Sequence, residues 1–149
     1  MQFHLRLQRG LLLPLALTTL ALTSVPARAQ TAVYSPITLP ASREINDILS
    51  DRDIPTGAGG FARDYTVNLE AGDQVAIDAI SDEFDTLVLL MNKDGVTVSE
   101  NDDGPDGTTN SLLFARISES GTYTVRVSAY AGQGAGNFYL KVARLREVQ

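Results

Sequence analysis

From Phe61 onward, apolar and polar side chains alternate with a period of two, the spacing of strands with one buried face. Tyr65, Val67 and Leu69 share a face, and after the Glu70-Ala71-Gly72-Asp73 turn Val75, Ile77 and Ala79 repeat the pattern. Thr86 to Met91 is almost continuously apolar, which predicts a central strand. Asn92-Lys93-Asp94-Gly95 predicts a hairpin turn with Gly95 at positive φ, and Val96 and Val98 alternate with Thr97 and Ser99 on its return. Ser111 to Ser118 predicts another strand. Tyr123, Val125 and Val127 then face inward, and Phe138, Leu140 and Val142 line the last core face.

The pattern is weaker upstream. Ile45, Ile48 and Leu49 sit at helical spacing, yet Ser50-Asp51-Arg52-Asp53 stops the run within two turns, so a strand is favoured over Arg43 to Ser50. Residues 30–42, with Pro36 and Pro40, show no sustained period and are expected to form an extended leader. Thr56 to Gly60 is glycine-rich but lacks the Lys-Ser/Thr ending of a phosphate-binding loop. The expectation is an all-β, jelly-roll-like antiparallel β-sandwich of about seven or eight strands, occupying residues 43–149.

Residues 1–29 are expected to be a signal peptide rather than fold. Arg6 and Arg9 precede an apolar stretch from Leu11 to Val25, and Ala27-Arg28-Ala29 supplies a small-x-small site for cleavage after Ala29. The stretch is shorter than the ~20 residues of a spanning helix, which argues against a membrane anchor once the signal is removed. Secretion or periplasmic export through the Sec route follows. Without residues 1–29 the 149-residue chain leaves 120 residues, and losing Arg6, Arg9 and Arg28 leaves 9 Lys+Arg against 18 Asp+Glu, a formal charge of −9. Such acidity repels phosphate backbones, so no nucleic-acid partner is expected, and it attracts cations. The chain has no Cys, and its one histidine, His4, lies in the signal. Zinc sites on Cys or His, Cys nucleophiles and Ser-His-Asp triads are thereby removed.

Acidic and amide residues crowd the loops: Asp82, Glu83, Asp85, Asn101, Asp102, Asp103, Asp106 and Asn110. Calcium takes six to eight hard oxygens, and two acidic loops flanking one hairpin supply that chemistry, with Asp85, Asn101, Asp102, Asp103 and Asp106 as candidate Ca2+ ligands. The same residues also suit plain turn chemistry, since Asp and Asn side chains bond backbone N–H groups nearby. An EF-hand is excluded: a frame starting at Asp102 puts Leu113 where a bidentate Glu is required. Glu83 with Asp102 or Asp103 raises a carboxylate hydrolase, against which stands the small room for a cleft in about 120 residues. Tyr130 and Tyr139 fall near or outside the inward set, and as exposed rings they offer a stacking face to polysaccharide or an extended extracellular protein; as packed rings they cover a sheet edge or cross-strand neighbours. Arg116 and Arg126 are expected on outward faces, solvated or paired.

The ordered set Asp64 to Leu69, Ala71-Gly72-Asp73, Phe84-Asp85-Thr86, Asp94-Gly95, Asn101-Asp102-Asp103, Asn110-Ser111, Gly121 to Val125 and Gly136 to Leu140 resembles the bacterial pre-peptidase C-terminal domain. The resemblance covers roughly residues 43–144. It implies a small jelly-roll-like sandwich related to collagenase collagen-binding domains: non-catalytic, concerned with secretion or substrate binding, and in some relatives calcium-binding. No peptidase precedes the domain here, so a stand-alone binding or stabilising module is the expectation.

Overall fold

The structure, a computed structural model, describes residues 34–105 and 107–145; the expected signal, the start of the leader and Asp106 lie outside the described residues. Ten strands follow in order: β1 Ile37–Thr38, β2 Glu44–Leu49, β3 Ile54–Pro55, β4 Phe61–Leu69, β5 Gln74–Ile80, β6 Thr86–Met91, β7 Thr97–Asn101, β8 Ser111–Arg116, β9 Gly121–Ala129 and β10 Gly136–Leu145. One sheet has the order β1-β4-β9-β6-β7 with β3 also on β4; the other has the order β2-β10-β5-β8. All pairings are antiparallel except β1 with β4. The protein is an all-β, jelly-roll-like sandwich, and the described residues include no helix long and apolar enough to cross a membrane.

Four sets read from the period are buried between the sheets: Tyr65, Val67 and Leu69; Val75, Ile77 and Ala79; Tyr123, Val125 and Val127; Phe138, Leu140 and Val142. Phe138 meets Tyr65 and Phe84 edge to face, at ring-centre distances of 6.3 and 6.2 Å. Geometry of this kind adds about 0.5–1.5 kcal/mol per pair beyond the area buried.

Three features depart from expectation. The two strands beyond the expected eight, β1 and β3, are two residues long, too short for a period to register, and both pair with β4. Part of the expected leader therefore belongs to the sandwich: Ile37 and Thr38 pair with Tyr65 and Thr66, and Leu39 enters the core. Val96 and Val98 are exposed, because the ladder shifts at Leu90/Met91 and β7 begins only at Thr97. The turn before it forms as expected, with Gly95 at φ +77° and Asn92 Oδ1 accepting from the Asp94 and Val96 amides.

Candidate functional site

Ser81 to Asp85, which joins the two sheets between β5 and β6, is held from four directions. Ser81 Oγ donates to the Asn137 carbonyl at 2.8 Å and accepts from the Glu83 and Phe84 amides. The Ser81 amide donates to Asn110 Oδ1, and the Asp85 carbonyl accepts from the Tyr130 amide. Phe84 is buried against Phe138. Just beyond, the Ser111 hydroxyl donates to the Thr86 carbonyl at 2.7 Å, and the Ser111 amide donates to the Thr86 hydroxyl at 2.8 Å. Buried hydroxyls satisfied in this way fix the backbone on both sides of the acidic loop.

The β6–β7 hairpin brings one group of acidic candidates together. Burial first, then the charges of Asp103 and Asp102, raise the pKa of Asp85 above its ordinary value. Asp85 Oδ1 is shielded from water and has no hydrogen-bond partner among the described residues. The two amide candidates are committed to backbone: Asn101 Nδ2 donates to the carbonyls of Asp103 and Leu112, and Asn110 Oδ1 caps Ser81. Asp106 lies outside the described residues. Among the described residues, no three Asp, Glu, His or Cys side chains gather at metal-binding spacing.

Asp82 and Glu83, which line a hollow with Asp85 and Asn110, also reach a second place. On the outer face of the second sheet, register puts Asn46, Tyr139 and Ile80 in one row and Ile48 beside Asn137 in the next. These residues, with Asp82 and Glu83 at the rim, line an open groove of about 550 Å3. Glu83 Oε1 accepts from Asn137 Nδ2 at 2.6 Å. The glycine-rich loop before β10 lets the acidic loop approach: a Cβ at Gly136 would run into the Glu83 side chain, and one at Gly134 into Phe84. Tyr139 thus lies on a sheet face among neighbours, whereas Tyr130 is half exposed in a short 3-10 turn, Tyr130–Gly132, beside Asp85.

Two ion networks were not apparent from the sequence. Asp64 on β4 lies opposite Arg126 on β9, which donates to it through Nε at 2.7 Å and Nη2 at 2.8 Å, while the Tyr34 hydroxyl adds a third bond at 2.6 Å. The hydrogen bond with Asp64 holds the Arg126 guanidinium above its ordinary pKa. Between the sheets, Arg63 bonds Asp47 and Asp53, and the Tyr65 hydroxyl donates to Asp47. Desolvation, then that bond, raises the Tyr65 hydroxyl far above its ordinary pKa. The signal available for the first network was an acid on one alternating strand and an arginine on another. The pairing itself spans 62 residues.

The profile of the bacterial pre-peptidase C-terminal domain matches residues 62–129. Two solved structures are similar in fold. One is the pre-peptidase C-terminal domain of collagenase from Bacillus anthracis, at 13% identity and TM-score 0.54, with 73% of this chain and 95% of that one covered. The other is PliG of Aeromonas hydrophila, a periplasmic inhibitor of g-type lysozyme, at 13% identity and TM-score 0.54, covering 74% of this chain and 96% of that one. No curated protein matches the chain in sequence.

Proposed function

Because residues 62–129 belong to the bacterial pre-peptidase C-terminal domain family, we propose that the chain is a secreted or periplasmic β-sandwich that binds a partner rather than transforming a substrate. The observation that carries this reading is the rigid, acid-rimmed groove on an exposed sheet face, placed by register and locked by Ser81, Asn110 and Asn137. Rigid, preorganised surfaces of this kind lose little entropy on association. The two fold neighbours support it as well, one being a domain of a collagenase and the other a periplasmic lysozyme inhibitor. Export is tested by mass spectrometry of the chain recovered outside the cytoplasm, which should begin at Gln30; intact Met1 on the recovered chain refutes it. The binding role is tested by assaying the same material against chromogenic glycosides and peptides. Turnover that disappears when Glu83, Asp102 and Asp103 are all changed to Ala would replace the module with a hydrolase.

A second reading places calcium at the hairpin end. The unpartnered Oδ1 of Asp85 and its repulsion by Asp102 and Asp103 favour it, since a hard cation answers both. Asp85, Asp102 and Asp103 would hold the ion, with Asp106 and Asn101 as further oxygen donors, and the ion would contribute stability rather than chemistry. Superimposable melting curves in calcium and in EDTA would remove it.

A further inference from the structure

We propose that the groove bounded by Ile48, Ile80, Tyr139, Asp82 and Glu83 receives a lysine- or arginine-bearing segment of a partner protein, a reading that rests on the binding role above and gives it a site and a ligand chemistry.

The floor of the groove is open, with Ile48, Ile80 and Tyr139 set among the amides of Asn46 and Asn137. Ile48 is 53% exposed and Ile80 42% exposed; register sets Ile80 beside Tyr139 and Ile48 beside Asn137 in the next row of the outer face, where no further strand of the described residues covers them. The rim carries negative charge that the described residues leave unbalanced. Asp82 has no hydrogen-bond or ion-pair partner among them, and Glu83 is bonded to a neutral amide, that of Asn137. The third carboxylate of the groove, Asp47, is already answered by Arg63 at 2.9 Å. Lys141, one row further along the same face, is taken by Glu44 at 3.0 Å. The groove thus joins a partly apolar floor to an uncompensated anionic rim, with no cation among the described residues that line it to close it.

A lysine or arginine side chain has that shape in reverse. Its aliphatic stem covers apolar surface while its head reaches out to a carboxylate, and a guanidinium or ammonium also gains over an aromatic face such as Tyr139. A bare cation would leave the Ile48–Ile80 floor unused, and a neutral sugar would leave the rim charge unused. The formal charge of −6 over the whole chain further favours encounter with a basic surface. The rim is also preorganised. The Ser81 hydroxyl on the Glu83 amide, the Asn137 amide on the Glu83 carboxylate and the close packing of Glu83 on Gly136 hold Glu83 in place before anything docks.

The test is a titration of the 15N-labelled protein with the blocked peptide acetyl-Ala-Lys-Ala-Arg-Ala-amide, followed by amide chemical shifts. A control peptide carries norleucine and citrulline in place of lysine and arginine. Shifts should concentrate at Ile48, at residues 80–83 and at residues 137–139, and the control should bind weakly. The double substitution Asp82→Asn, Glu83→Gln should weaken binding about fivefold to tenfold, as expected for two rim charges. Raising salt from about 50 to about 300 mM should weaken it in the same direction. Asp82→Asn alone changes an exposed side chain without an intramolecular partner among the described residues, so it keeps the test decisive if the double variant folds poorly. Equal binding of the control peptide, unchanged affinity in both variants, or shifts at these amides with a neutral oligosaccharide instead of the peptide would each overturn the groove assignment and leave the binding role standing. Cleavage of the peptide during the titration would instead overturn the binding role itself.

Discussion

The Asp64–Arg126 pair allows an asymmetric prediction, because its two members would be left in different surroundings if either were removed. The Asp64 side chain has no exposure, whereas that of Arg126 is 29% exposed. Replacing Arg126 with Met keeps the aliphatic bulk and strands a fully buried carboxylate. Leaving such a charge uncompensated costs roughly 3–5 kcal/mol, and the remaining bond from the Tyr34 hydroxyl offsets about 1 kcal/mol of that. The net expectation for Arg126→Met is about 3 kcal/mol. Replacing Asp64 with Ala strands a guanidinium that already touches water and can rehydrate, so the expectation is about 1–2 kcal/mol. The double variant should cost less than the sum of the two by at least about 1 kcal/mol, since neither charge then remains alone. Urea unfolding followed by circular dichroism gives all three values, with a common slope required for the comparison. Equal costs, a larger cost for Asp64→Ala, or additivity within about 0.5 kcal/mol would show that burial does not govern this pair.

Two other perturbations bear on the acidic loops. The raised pKa of Asp85 means that its ionised form is disfavoured in the native state, so its protonation contributes stability that is present below the ordinary carboxylate range and is lost as pH rises through the raised value. Asp85→Asn, measured in EDTA, should therefore melt higher than the parent at neutral pH and converge with it in acid; a lower melting temperature at neutral pH would contradict the assigned cause. Gly136 has φ +138° and no room for a Cβ beside Glu83. Gly136→Ala should cost about 1–3 kcal/mol by urea unfolding and displace Glu83 from the groove rim. Parental stability would place the Glu83 contact elsewhere.

What could be read from the sequence, and what could not, divides along physical lines. Tyr65, Val125 and Leu140 announced their burial because a strand with one buried face repeats every two residues, and a single strand suffices to show it. β1 and β3 left no trace, since two residues cannot display a period and their stability comes from β4. Val98 followed the pattern but not the core, because a register shift is a property of a pair of strands. The acidic loops were legible as acidic, yet their division was not. Asp85 is coupled to Asp102 and Asp103, whereas Asp82 and Glu83, which share a hollow with Asp85, also reach the groove on the outer sheet face, where Ser81 is tied to Asn137, 56 residues away. The groove itself needs the registers of β2, β10 and β5 together.

The pairing of β2 with β10 sets a condition on how the protein is made. Among the described residues Glu44–Leu49 finds its ladder partner in Gly136–Leu145, so β2 cannot join the second sheet until β10 has been synthesised. A nascent chain that lacks β10 holds β2 without a neighbour in that sheet, and such long-range closure is slow. The ten-residue β10, flanked by β2 and β5, is therefore the latch of that sheet, and its arrival is the step on which the closing of β2 depends.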